Sequence, residues 1–411
     1  MNGYPITMSL TIDQFLKQEL ERLKTSGLYR DMKRITGHID TTVSIDGKEV
    51  ILLSSNNYLG LAFHPKLKEA AASALREYGT GACASRLISG NMEIHEELEN
   101  KTAKFKGCQS AIVFPTGYMA NIGVITSLAG NGDLILSDEL NHASIIDGCK
   151  LSGAEVRVYP HKNIEKLKEI LSQGNASSSK GSYKRMLIVT DGVFSMDGDI
   201  TPLPEILDVA REEDALVILD DAHATGVLGE NGKGTAEHFG LTDENLIHMG
   251  TFSKALGSMG GYIAGSKVII EYLRNNARPF IYSTALPPSV CASSIAAIDI
   301  LEKEPSIRTR LWRNIARFRK GLTNLGYNTM ESQTQIIPIL IGDASLTMKF
   351  ATAIFQKGVY APGIRPPTVP EGKSRIRTSL MASHTDEQID KVLAVFESEG
   401  RSLTLSHLKK S

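Results

Sequence analysis

Five short apolar runs, SAIVF (110–114), DLILSD (133–138), EVRVY (155–159), RMLIVTD (185–191) and ALVILDD (215–221), alternate with longer segments that read as helices. Runs of this kind belong in a mostly parallel sheet sandwiched by helices, because crossover helices cover the faces that so apolar a strand must bury. Asp138, Asp191 and Asp220 close three of the runs. Open α/β sheets bind ligands beyond the carboxyl ends of their strands, so these acids point to the end where chemistry belongs.

The remaining elements are shorter. Ile12, Phe15, Leu16, Leu20 and Leu23 recur at helical spacing and predict an amphipathic helix over 11–26 that lies on another surface. A strand is expected at 50–53 and a solvated Ser/Gly-rich loop at 173–182. After Pro287 and Pro288 the pattern is helical to about Asn324. A strand (QIIPILIG), a helix from Leu346, a strand (SRIRTSL) and a final helix follow. A chain of 411 residues exceeds one simple core. The expected division is an N-terminal helix and short strands over 1–60, a large domain over 61–290 and an α+β domain over 291–411.

With 42% hydrophobic and 22% charged residues and a net charge of −1, the composition is that of a globular protein with no demand for nucleic acid. Cys83, Cys108, Cys149 and Cys291 are far apart and form no CxxC pair, which fits a reducing cytoplasm. No basic-then-apolar leader opens the sequence, and no apolar run of about 18 residues predicts a membrane span. The basic cluster 407–410 reads as a solvated tail.

HMGTFSKALGSMGGYIAG (248–265) sets Lys254 between Thr251 and Ser253 on one side and Gly257, Gly260 and Gly261 on the other. Hydroxyls and exposed N–H groups bind phosphate oxygens, and glycine lets the backbone approach a ligand. A solvated lysine in a glycine-rich turn is the competing reading. ALVILDDAHATG (215–226) puts Asp220, Asp221 and His223 at the end of a buried strand, where a carboxylate needs a partner. A cationic ring nitrogen is such a partner for Asp220. A turn-capping Asp pair is the plainer alternative, and a metal site lacks an evident third ligand. Neither a GxSxG elbow nor a phosphate-binding GxxxxGK[ST] loop occurs.

Nine ordered blocks extend the pattern along the chain: SSNNYLGL (54–61), GTGACASRLISGNMEIHEELE (79–99), FPTGYMAN (114–121), SDELNHASIIDG (137–148), TDGVFSMDGD (190–199), DDAHATGVLG (220–229), GTFSKALG (250–257), YSTALPP (282–288) and IRPPTVPEGKSRIR (364–377). Together they resemble the α-oxoamine synthase family of fold-type I pyridoxal phosphate (PLP) enzymes. The resemblance implies a cytoplasmic homodimer that joins an amino acid to an acyl thioester, on CoA or a carrier protein, with loss of carbon dioxide. It also implies that Lys254 carries the cofactor, Asp220 holds its ring nitrogen, His142 stacks on the ring, and His223 and Ser195 lie near its phenolic oxygen. Gly117, Tyr118, Thr251 and Ser253 would meet the cofactor around its phosphate, with Thr284 donated by the other subunit. Asn56 and Arg375 would anchor the amino acid's carboxylate, Arg377 being the rival. Arg30, Arg86 and Arg365 are candidates for a carboxylate at the far end of the acyl chain. SRLISGN and IRPPTVPEG point to L-alanine and a pimeloyl thioester. Glycine with acetyl-CoA is the alternative, and a non-catalytic scaffold that keeps the fold is the alternative of another class.

Overall fold

The computed structural model describes residues 11–176 and 183–403. Its central sheet holds seven strands in the order Ser110–Phe114, Gly261–Gly265, Leu246–Thr251, Leu216–Asp220, Met186–Asp191, Leu134–Asp138 and Glu155–Tyr159. Neighbours run parallel except at Gly261–Gly265, which is antiparallel to both strands beside it. Leu246–Thr251 and Gly261–Gly265 flank Lys254 and were not among the expected strands. Gly250, Gly261 and Gly265 lack the side chains that would mark a two-residue period, so these strands leave little trace in sequence.

Helices Gly117–Leu128 and Ala143–Ser152 pack on one face of the sheet through Val124, Ile125 and Ile145. Ile164–Ala176 and Leu203–Glu212 cover the other through Leu167, Leu171, Ile206 and Leu207. Helix Pro288–Lys303 packs back on Pro65–Tyr78 and Glu93–Lys106, and Pro305 separates it from Ser306–Asn324. Beyond it, Ile336–Gly342, Ser374–Ser379 and Gly363–Ile364 form an antiparallel sheet. Lys48–Leu52 pairs in parallel with Val359–Tyr360, which ties the start of the chain to its last third.

Two local expectations meet a different outcome. The N-terminal helix, Ile12–Thr25, has its Thr11–Gln14 capping box but buries no residue within the chain. Its apolar stripe therefore has no covering surface here, and Ile12 is 68% exposed. The helix Ile164–Ala176 runs through the start of the loop expected at 173–182, although its apolar period ends at Leu171. Positions 177–182 and the tail 407–410 lie outside the described residues. Among those described, no helix is long and apolar enough to cross a membrane.

A buried charge cluster closes the loop after Met186–Asp191. His161 Nδ1 lies 2.9 Å from Asp138 Oδ1 and its Nε2 2.8 Å from Asp199 Oδ2, while Lys162 Nζ reaches the same Asp199 oxygen at 2.6 Å. The His161 ring meets Phe194 edge-on at 4.3 Å. Burial opposes charge on His161, but the two carboxylates outweigh it and raise its pKa to about 9. Stability from this ion triad is therefore complete below the ordinary histidine value and is lost as pH rises through about 9. The melting temperature is expected to fall between pH 6.5 and 9.5, and His161→Gln to be less stable at pH 6.5 with a flatter fall, the difference being on the order of 3 kcal/mol. Parallel pH profiles of the two proteins by calorimetry check this.

Candidate active site

The carboxyl ends of two adjacent parallel strands bring Asp191 and Asp220 into register as a pair. Both are buried. Asp220 Oδ1 accepts from the Ala222 N–H at 2.9 Å, and its Oδ2 accepts from Asn121 Nδ2 at 2.7 Å. Asp191 Oδ2 accepts from the His142 N–H at 2.8 Å. Burial, and then the charge of Asp220, push Asp191 well above the usual carboxylate range. Asp191 is thereby driven toward its neutral form.

The neighbouring acid has a different task. Asp221 turns to the other side of its strand, where Oδ2 meets Lys106 Nζ at 2.9 Å and Oδ1 accepts from the Thr235 N–H at 3.2 Å. Lys106 also donates to the Lys233 carbonyl. Both side chains of this ion pair are fully buried, far from the solvent that would otherwise screen them.

Lys254 lies in the connection between Leu246–Thr251 and Gly261–Gly265, half-buried. Burial lowers its amine from the ordinary lysine value, Asp220 and Asp191 oppose that, and Arg377 adds to it. Two hydroxyls order the loop around it: Thr251 Oγ1 donates to the Gly260 carbonyl at 2.6 Å and accepts from the Ser253 N–H at 3.1 Å. Gly261 is required, since a Cβ there would lie 2.6 Å from the Cα of Gly117. That close approach sets Thr251 against the start of helix Gly117–Leu128, whose first N–H groups have no partner within the helix. Tyr118 is exposed and donates to Asp147.

His142 caps helix Ala143–Ser152 and is open to solvent in the single chain. Lost hydration at its ring lowers its pKa, against the pull of Asp220 and with the push of Lys254. His223 is buried and held well below its ordinary value by burial, Lys254, Arg377 and His142. Its Nδ1 lies 2.7 Å from the Tyr58 hydroxyl, which reaches Asn56 Oδ1 at 3.0 Å. Arg377 Nη2 donates to that same Asn56 oxygen at 3.4 Å and its Nε to the Ser195 carbonyl at 2.6 Å. Arg377 thus acts electrostatically on Lys254 and His223, whereas Arg375 is taken by Asp197 Oδ1 at 2.6 Å and the Met196 carbonyl at 3.2 Å.

The other expected residues stand apart. Arg86 is locked in a buried bidentate pair with Glu99, both bonds 3.0 Å, so it is withdrawn from any entrance. Arg30 and Arg365 line one groove of about 890 Å³ with Leu20, Leu23, Met348 and Thr368. Thr284 is exposed and bridges Ser85 through the backbone. Asn121 and Tyr58 were absent from the expected set, and Asp191 was expected only as an acid at the strand ends. Asn121 follows Gly117 by one helical turn, the signal that could have placed it beneath the strand ends.

These residues fit PLP on chemical grounds: a buried carboxylate with two N–H donors behind it, an amine lowered by burial, and hydroxyls against a helix N-terminus. The chain matches the aminotransferase class I and II family model over residues 48–396. It is 50% identical over 392 residues to 8-amino-7-oxononanoate synthase of Geotalea daltonii, covering 95% of this chain and 98% of that one. The corresponding figures for 8-amino-7-oxononanoate synthase 1 of Bacillus subtilis are 46% over 392 residues, 95% and 98%. Among solved structures, serine palmitoyltransferase of Sphingomonas wittichii superposes with a TM-score of 0.89 at 36% identity, covering 96% of this chain and 99% of that one. A structure of SPT with PLP as internal aldimine gives 0.89 at 35%, covering 97% and 100%. The 8-amino-7-oxononanoate synthase of Francisella tularensis gives 0.74 at 30%, covering 86% and 98%.

The two adjacent acids should separate by phenotype. Asp221→Ala leaves a buried ammonium unpaired and is expected to cost about 3–5 kcal/mol of stability. Asp220→Asn is expected to keep the fold and lose cofactor-dependent turnover by orders of magnitude. Denaturant melts beside steady-state rates check the pair, and the opposite pattern would reverse the assignment.

Proposed function

The chain belongs to the aminotransferase class I and II family and, within it, to the 8-amino-7-oxononanoate synthases, and from that premise we propose that it condenses L-alanine with a pimeloyl thioester, releasing carbon dioxide. It is a PLP-dependent acyltransferase of biotin biosynthesis. The observation that carries the reading is the convergence of Lys254, Asp220, His142 and His223 at the carboxyl end of one sheet, with a fixed cation, Arg377, beside them. Bound there, PLP supplies an electron sink for charge developing on the amino acid's α-carbon.

The residues divide the remaining work. Lys254 would hold the cofactor, and its lowered basicity suits it to take a proton from the α-carbon and return one. Asp220 would keep the ring nitrogen cationic, and His142 would cover the ring. His223, braced by Tyr58, would stand with Ser195 toward the phenolic oxygen. Thr251, Ser253, Gly117 and Tyr118 would hold the phosphate. Arg377, with Asn56 fixed between it and Tyr58, is the better anchor for the amino acid's carboxylate. Arg375 instead holds the 195–197 turn in place through Asp197, so Arg377 takes the role first expected of Arg375. Guanidinium meets carboxylate as a planar fork, which orients the α-carbon as well as binding it.

At the far end, Arg30 and Arg365 in one groove suit the terminal carboxylate of a pimeloyl chain. An acetyl group has nothing to offer them. The enzyme acts as a cytoplasmic homodimer with shared sites, a reading supported by the uncovered apolar stripe of Ile12–Thr25 and by the exposure of Thr284.

Borohydride reduction followed by peptide mapping is expected to place a pyridoxyl label on Lys254 alone. Comparing kcat/KM for alanine and glycine with pimeloyl-CoA and acetyl-CoA, with product mass, tests the substrates. Alanine is expected to win by about 10- to 200-fold, the reach of one methyl group. Faster turnover of glycine with acetyl-CoA would overturn the assignment. Arg377→Ala is expected to raise KM for alanine by roughly 10- to 100-fold, as befits loss of a charge-assisted hydrogen bond, and Arg375→Ala to act mainly on stability.

A further inference from the structure

One hydrogen-bond chain joins the two groups that would grip the cofactor ring, and Asn121 stands at its centre. Its Nδ2 donates to Asp220 Oδ2 at 2.7 Å and to Ser144 Oγ at 2.8 Å, and Ser144 Oγ lies 2.8 Å from His142 Nδ1. Asn121 and Ser144 are both fully buried, so no water competes for these bonds.

The donors and acceptors leave a single consistent assignment. An amide NH2 only donates, so Ser144 Oγ accepts from Asn121 and has its own proton to give. The Ser144 N–H points at His142 Nδ1 at 3.3 Å, which makes Nδ1 an acceptor. Ser144 Oγ–H therefore donates to the same nitrogen, and the His142 proton resides on Nε2. Asp220, receiving N–H groups from Asn121 and Ala222, is held as the carboxylate. Asn121 Oδ1 is buried with no partner among the described residues. Turning the amide over would set that oxygen against the Asp220 carboxylate, so the charge of Asp220 fixes the amide's direction even though the carbonyl stays unpaired.

We propose that Asn121 is a positioning residue which, by one amide, aims the Asp220 carboxylate at the cofactor's ring nitrogen and, through Ser144, holds His142 as the neutral Nε2–H tautomer. The charged groups around this chain are Asp191, which bonds the His142 backbone from the next strand, and Lys254. Neither bonds to Asn121, which leaves Asn121 as the only side-chain donor to Asp220 among the described residues. This inference rests on PLP being bound at Lys254.

The test loads wild-type protein and Asn121→Leu with PLP labelled with 15N in the ring. Borohydride mapping first confirms Lys254 as the attachment site in both. In wild type the ring 15N resonance is expected at the protonated position. In Asn121→Leu it is expected to move toward the unprotonated position, with the ring nitrogen about tenfold easier to deprotonate, the equivalent of one pKa unit. PLP should also dissociate faster. A packing role alone would lower the melting temperature and leave the resonance where it was, and that outcome overturns the proposal. Ser144→Ala cuts only the link to His142, so the ring signal should stay while 15N-labelled histidine shows His142 no longer confined to one tautomer. If Asn121→Leu does not fold, Asn121→Ser is read in the same way. A wild-type protein with no label at Lys254 would overturn the cofactor reading, and this inference with it.

Discussion

A carboxylate with charge at the buried end of a parallel strand is the constraint on which the rest of this site depends. Removing Asp220 from water is costly, and the molecule offsets that cost with the Ala222 N–H, the Asn121 amide and, once loaded, a cationic ring. Burial and the nearby Asp220 drive Asp191 toward its neutral form, while its carboxyl accepts from the His142 backbone. The geometry of His142 is thus set from two sides, by Asp191 at its backbone and by Ser144 at its ring.

The same strand end supports the fold on its far side. Asp221 follows Asp220 directly, so its side chain projects away from the site and meets Lys106 in a fully buried pair. Two adjacent aspartates with opposite outlooks link the helix Glu93–Lys106 to the strand that aims Asp220. A similar division holds in the Ser374–Ser379 strand. Arg375 binds Asp197 while Arg377 reaches Asn56 and the Ser195 carbonyl, so both arginines grip the 195–197 turn and only one faces the amine of Lys254.

Much of this was legible in the sequence, for physical reasons that can be named. The five apolar runs became strands, four of them buried in a covered sheet and the edge run Glu155–Tyr159 burying only Tyr159, and Lys254 and Asp220 stood out because glycine, hydroxyl and buried-acid patterns are rarely needed by surface loops. Gly250, Gly261 and Gly265 hid two strands whose spacing carries no side-chain alternation. The choice between Arg375 and Arg377 was beyond the sequence, since two-residue spacing puts both on one face and only Asp197, remote in sequence, distinguishes them. Asn121 and Tyr58 escaped for the same reason: each acts through a partner about a hundred residues or more away, at Asp220 and His223.

Seen together, the cationic groups of the site sort by whether they can lose a proton. Lys254, His142 and His223 all have lowered pKa values, burial leading in each case; Lys254 pushes both histidines further down, and Arg377 does the same to Lys254 and His223. Arg377 cannot follow them, because a guanidinium keeps its proton under any condition a folded protein meets. The site therefore holds one permanent positive charge among bases that are free to act as bases. Replacing Arg377 by lysine would add a fourth adjustable base, one that the other three would press to deprotonate, and the site would lose its fixed point of charge as well as the planar fork.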